Sequence, residues 1–124
     1  MSLSIEDVSK VKARIWLEYK GKPVLGKGGA SILQAIEKEK SISKAAEKLG
    51  MSYRYAWNYL KKISQVFNRP VVKTVRGGPH GGGGATLTEL GRNLVEKYSK
   101  AEKYIVVLLK DEKYWKDVTL DKQK

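Results

Sequence analysis

Residues 41–60 read Ser41-Ile42-Ser43-Lys44-Ala45-Ala46-Glu47-Lys48-Leu49-Gly50-Met51-Ser52-Tyr53-Arg54-Tyr55-Ala56-Trp57-Asn58-Tyr59-Leu60. Ala45, Ala46 and Leu49 fall on one side of a short helix over 41–49. Gly50 stops that helix, because glycine takes the left-handed conformation past a helix end without a Cβ penalty. Ser41 and Ser43 are both acceptable N-caps for it, and the sequence leaves the choice open. Ser52 is a good N-cap for a second helix running to about residue 67, where Pro70 enforces the end. The small side chains of Ala45 and Ala46 let the two helices cross closely. The spacing of Ala46, Gly50, Ala56 and Leu60 turns the apolar contacts of both toward a third helix. A helix-turn-helix and an ordinary helical hairpin fit this spacing about equally well.

The faces of the second helix separate the two. Ala56, Tyr59, Leu60, Ile63 and Phe67 lie within an arc of about 100°, a core stripe. Arg54, Asn58, Lys61 and Gln65 form a row on the opposite side, with Lys62 alongside, and no acid occurs between Lys48 and Arg76. A helix face that is merely solvated mixes signs, so an acid-free polar face points to a polyanion. Arginine pairs bidentately with guanine and asparagine with adenine. Arg54 and Asn58 sit in the N-terminal half of the helix, the part that a recognition helix pushes into the major groove. Lys61 and Lys62, further along, suit phosphates. On the flank of the row, Tyr53 fits either thymine methyls and sugar-phosphate or packing. Packing on the short helix is slightly preferred for Trp57, and Tyr55 takes no assignment.

Outward from this core, Val11, Ala13, Ile15, Leu17 and Tyr19 alternate with polar or amphipathic residues, the period of a strand with one buried face. Residues 20–23 turn the chain and residues 26–29 read as a flexible lead-in. A first helix follows over residues 30–39, with Ile32, Leu33 and Ile36 on its apolar face. On the other side, residues 71–75 are a β-branched strand, 76–84 a Gly-rich loop and 85–87 a short returning strand. Six glycines in nine loop residues suggest a nucleotide phosphate cradle, but that motif needs Lys and Ser or Thr after the last glycine, and here Ala85 follows Gly84. The loop reads better as a wing tip, its backbone N–H groups near phosphates and Arg76 or His80 reaching the minor-groove edge. His80 has no companion carboxylate or nucleophile and is no catalytic centre.

A long helix is expected from residue 88 to about 117. Thr88 is preferred as its N-cap over a capping box of Thr86 with Glu89, because the hairpin needs Thr86 in its strand. Leu87, Gly91, Leu94, Tyr98, Ala101, Ile105 and Leu108 follow alternating steps of four and three, a heptad seam. A helix of ~30 residues spans ~45 Å, more than so small a domain needs. The seam is therefore read as a homodimer interface centred on Leu94, Tyr98, Ala101, Ile105 and Leu108. The fold class is mainly α with a small β-wing: a winged helix-turn-helix over 8–87, a dimerisation helix over 88–117 and a tail over 118–124.

Composition agrees with this architecture and narrows the chemistry. The 124 residues carry 25 Lys and Arg against 13 Asp and Glu, a formal charge of +12. Residues 41–84 supply over half of that excess, with eight bases and one acid. A positive field concentrated on one segment is the footprint of a polyanion partner, most often nucleic acid. With no cysteine, disulfides, thiolate metal sites and cysteine nucleophiles are excluded; with one histidine, a His-based metal site is not expected. No cofactor and no enzymatic role are expected, because no acid–base pair or complete phosphate loop is present. The acidic start lacks a signal peptide's apolar segment, and the longest apolar run, five residues from Ile105, falls far short of the ~20 that span a bilayer. The expectation is a cytoplasmic, nucleoid-associated protein without a membrane partner.

Residues 31–98 resemble the N-terminal DNA-binding domain of ModE-type molybdenum-responsive regulators, itself similar to LysR-type winged helices. The resemblance is carried by Ser41-Ile42-Ser43-Lys44-Ala45-Ala46, by Gly50-Met51-Ser52-Tyr53-Arg54-Tyr55-Ala56-Trp57, by the Gly-rich 76–84 segment and by Leu87-Thr88-Glu89-Leu90-Gly91. Gly21-Lys22-Pro23-Val24-Leu25-Gly26 and the upstream strand look like the same family. The resemblance implies a homodimer formed through the first strand and the long helix. It implies a double-stranded DNA face of Ser52, Tyr53, Arg54 and Asn58 with the wing around Arg76 and His80. Full-length ModE proteins continue into molybdate-binding modules where this sequence stops, so no molybdate binding is expected of it. A dimeric, sequence-specific transcription regulator is the leading expectation, and an abundant architectural DNA-binding protein of low specificity is the alternative.

Overall fold

The computed structural model describes residues 12–75 and 83–111. In chain order these form β1 (Leu17–Tyr19), β2 (Lys22–Leu25), α1 (Lys27–Glu39), α2 (Ile42–Lys48), α3 (Tyr53–Phe67), β3 (Val72–Val75), β4 (Gly84–Leu87) and α4 (Glu89–Leu109). The architecture is a winged helix-turn-helix followed by a longer C-terminal helix. None of the described helices is long and apolar enough to cross a membrane.

The helix-turn-helix forms where local chemistry dictates it. Ser41 settles the open N-cap: its Oγ accepts from the Lys44 N–H at 3.1 Å, satisfying one of the orphan donors of α2. After Lys48 the chain reverses through Leu49 and Gly50, whose φ of 70° favours a residue without a Cβ. The Met51 N–H returns to the Ala46 carbonyl at 3.0 Å, and Ser52 caps α3 by accepting from the Tyr55 N–H at 3.0 Å. Asn68 ends α3 in the left-handed conformation at φ 54°, two residues ahead of Pro70. Ala45, Ala46, Ala56, Leu60 and Ile63 are buried together with Ile32, Leu33 and Ile36 of α1, so α2 and α3 rest on α1 as their spacing requires.

The wing strands pair antiparallel from Val72 opposite Leu87 to Val75 opposite Gly84. They are tied to α1 through the Ala85 N–H, which donates to the Lys40 carbonyl at 2.9 Å. Thr88 fastens β4, α4 and the segment between α3 and β3 in one place. Its Oγ accepts from the Gly91 N–H at 3.1 Å, its hydroxyl donates to the Pro70 carbonyl at 2.8 Å, and its N–H donates to the Val71 carbonyl at 3.0 Å. That approach leaves no room at Gly91, where an added Cβ would lie 2.2 Å from the Val71 carbonyl oxygen.

Several expectations are corrected. The period-two segment from Val11 does not form one long strand: β1 holds only three residues, because its partner in the chain, β2, has only four. Val11 lies outside the described residues. β2 itself includes Lys22 and Pro23, expected to be only a turn; the turn is tighter, at Lys20 and Gly21, both with positive φ, as in the two-residue hairpin loops whose twist suits paired strands. Pro23 is compatible because β2 is an edge strand. Residues 26–29 are not a loose lead-in, since α1 starts at Lys27 and Gly29 is buried against Leu25 and Tyr59. Packing there overrides the low helix propensity of two glycines. The described α4 has 21 residues and closes at Lys110, whose N–H reaches both Val106 and Val107 carbonyls. It spans roughly 30 Å, and the expected continuation over 112–117 lies outside the described residues.

Candidate nucleic-acid interface

α3 is held from beneath and bare on top. Ala56, Leu60 and Ile63 are buried, and Tyr59 and Phe67 are half-buried beside them. Successive residues of a helix turn by about 100°, so anchoring this stripe fixes the direction of every other side chain. Arg54, Asn58, Lys61, Lys62 and Gln65 are all exposed on the opposite side. None of these bases forms an ion pair with an acid among the described residues.

The row has two different flanks. Tyr53 and Trp57 lie on one, 51% and 42% exposed. Trp57 is thus only partly covered, whereas Ala45 and Ala46 of α2 are buried. Tyr55, which had no assignment, lies on the other flank at 56% exposure, its ring 6.2 Å from that of Tyr59. Ser52 is exposed at the tip of the helix; its Oγ accepts the Tyr55 N–H, which leaves the hydroxyl proton free to donate outward. The structure thus brings Ser52, Tyr53, Arg54, Asn58, Lys61 and Lys62 onto one continuous surface. Arg76 and His80 lie outside the described residues.

A second element stands beside this surface that the sequence reading had not connected to it. The β1–β2 hairpin docks on α3 through Tyr19, whose ring centroid is 4.7 Å from that of Phe67, and through the buried Val24 and Leu25. The docking brings Lys22 into a groove shared with Tyr55, Asn58, Lys61 and Lys62. The available signal was the pair Val24-Leu25, apolar residues directly after a turn, which needed a buried face that only α3 and α1 provide.

The seam of α4 divides in two. Leu87, Gly91, Leu94 and Tyr98 are buried within the same chain, where α4 packs on α1 and the Gln34 amide donates to Ser99 Oγ at 3.1 Å. Ala101 and Ile105 are half-buried and Leu108 is exposed, next to Tyr104 and Val107 at 68% and 62% exposure. Burial raises the Tyr98 phenol above its ordinary 10.0, and the nearby negative charge and hydrogen bond of Glu102 add to the effect.

Comparisons with known proteins fit this geometry. The family model described as bacterial regulatory helix-turn-helix protein, lysR family, matches residues 30–92, from α1 into the first turn of α4. The molybdenum-pterin-binding protein MopB of Rhodobacter capsulatus is 35% identical over 97 residues, covering 78% of this chain and 35% of MopB. The molybdenum transport protein ModE of Azotobacter vinelandii is 39% identical over 71 residues, 57% of this chain and 26% of that protein. The DNA-binding transcriptional dual regulator ModE of Escherichia coli K12 is 38% identical over 68 residues, 55% of this chain and 26% of that protein. The chain thus spans between a quarter and about a third of the length of these relatives.

Proposed function

This chain belongs to the LysR-type family of bacterial regulatory helix-turn-helix proteins, and from that premise we propose that it is a sequence-specific regulator of transcription that binds double-stranded DNA as a homodimer. The observation that carries the reading is the acid-free, exposed face of α3, fixed from behind by Ala56, Leu60 and Ile63. A helix of this diameter fits the ~12 Å major groove. In this reading Arg54 and Asn58 meet base edges, Lys61 and Lys62 neutralise phosphates, and Ser52 and Tyr53 contact the backbone beside them. The Gly-rich segment over 76–84, with Arg76 and His80, lies on the backbone or the minor-groove edge. The exposed end of the α4 seam, Ala101, Ile105 and Leu108, joins the two chains, with Leu94 and Tyr98 supporting it from the core. Two recognition helices then meet half-sites about one helical turn, ~34 Å, apart. The regulator named in Escherichia coli, which shares this segment, supports the assignment. No catalytic step, cofactor or metal enters it.

Two substitutions test base readout against simple charge. Arg54→Ala is expected to cost about 1–3 kcal/mol at the cognate site and little on random duplex. Lys62→Ala is expected to weaken both about equally and to flatten the salt dependence. Equal losses for both variants on both duplexes would contradict base readout and leave a coating protein of low specificity.

A further inference from the structure

Between the β1–β2 hairpin and α3 runs a groove of about 990 Å³. Lys22 borders it from the hairpin; Tyr55, Asn58, Lys61, Lys62 and Gln65 border it from α3, and no acid lines it. We propose that this groove seats one sugar-phosphate backbone of the bound duplex, with Lys22 as a phosphate contact outside the helix-turn-helix and wing. This rests on the DNA-binding reading and extends it to an element that reading did not use.

The argument is one of charge, shape and rigidity. Three ammonium groups border one groove without an ion-pair partner among the described residues, so their mutual repulsion is relieved by an anion between them. The nearest acid on the hairpin, Glu18, does not line the groove; its carboxylate accepts from Trp16 Nε1 at 3.0 Å. The other polar side chains lining it, the Asn58 and Gln65 amides and the Tyr55 and Tyr59 phenols, are neutral donors of the kind that bind phosphate oxygens.

Shape favours a backbone over a small anion. Lys22, Tyr55, Asn58, Lys61 and Lys62 are exposed and Gln65 is half-buried, although the apolar Val24, Leu25 and Ile63 that also line the groove are buried; small-molecule sites enclose about 70–90% of their ligand. A helix seated in the major groove has a phosphate chain along each side, and Tyr55 and Lys62 occupy the flank of α3 that faces the hairpin. Lys22 stands opposite Tyr19 in the β1–β2 register, and the Tyr19 ring packs at a tilt of 39° against Phe67 at the end of α3. Its position relative to the helix is thereby preset, and little ordering is needed on binding.

The test is a titration of duplex binding against salt with wild type, Lys22→Ala, Lys22→Arg and Lys100→Ala. Lys100 is exposed on α4 and paired with Glu96, so it removes the same charge away from the groove. Lys22→Ala is expected to lower affinity roughly five- to tenfold at ~0.1 M salt, equally on cognate and scrambled duplexes. The slope of log K against log salt is expected to fall by about 0.9 per bound chain. Lys22→Arg is expected to keep the wild-type slope, and Lys100→Ala to leave it unchanged. An unchanged slope for Lys22→Ala, or an equal change for Lys100→Ala, overturns the proposal while the DNA-binding reading stands. Wild type without affinity for any duplex removes that reading itself. Micromolar binding of inorganic phosphate to the DNA-free protein, lost in Lys22→Ala, would make the groove a small-anion site and also overturn the proposal.

Discussion

Single atoms decide whether the domain closes. Gly91 lies where the first turn of α4 meets the backbone at Val71, and a Cβ would stand 2.2 Å from that carbonyl oxygen. Backbone on backbone has no flexible end to move aside. Gly91→Ala is therefore expected to destabilise the fold by about 2–3 kcal/mol, read from the midpoint of urea unfolding. Gly28, the second residue of α1, is the counterpart: a Cβ there meets nothing within 4 Å and its φ is not in the left-handed region. Gly28→Ala is expected to stabilise by about 0.5–1 kcal/mol, because alanine loses less chain entropy in a helix. Destabilisation by Gly28→Ala, or indifference at Gly91, would show that the α4 and α1 approaches differ from those described. Neither glycine's packing was legible in the sequence: Gly91 reads as a seam position and Gly28 as part of a flexible lead-in.

At the scale of elements, what could be read was what is decided locally. α2 and α3 fell where serine caps and Gly50 placed them, because these signals act within four residues of the backbone they satisfy. The acid-free face of α3 was equally legible, since helical geometry alone sorts Arg54, Asn58 and Lys61 from Ala56 and Leu60. β2, the start of α1 and the site groove were not, because each exists only by packing: Leu25 and Gly29 against Tyr59, and Tyr19 against Phe67. The packing of α4 carries a pH signature. Tyr98 is buried in the core and its phenol is raised above 10.0 by desolvation, then by the charge of Glu102 and its hydrogen bond to that carboxylate at 3.3 Å. The native state holds this proton after the unfolded chain has released it, so the contribution is complete below pH 10.0 and is lost as pH rises past it. Unfolding midpoints are expected to fall more steeply above pH 10 in wild type than in Tyr98→Phe, and parallel curves would contradict the role given to Tyr98.

For the whole molecule, one α4 does two jobs. Its first half completes the core of its own chain, and its second half carries Tyr104, Val106, Val107 and Leu108, which are 41–68% exposed among the described residues. The sequence pattern ran through both halves without a break, which is why Leu94 and Tyr98 were read with Leu108 as one interface. Substituting the exposed end separates the jobs. Leu108→Asp is expected to leave the monomer folded by circular dichroism but halve the sedimentation mass, and to weaken duplex binding strongly because two half-sites no longer act together. An unchanged mass would contradict the dimer.

Whether the α3 surface reads base sequence is decided by a selection from a random duplex pool at ~0.2 M salt, since nonspecific phosphate contacts are weak there. A homodimer reading bases through α3 is expected to enrich an inverted repeat with half-sites about one helical turn apart. Salt-sensitive retention of the pool with no enriched motif would contradict it, and α3 would then be one basic surface among others.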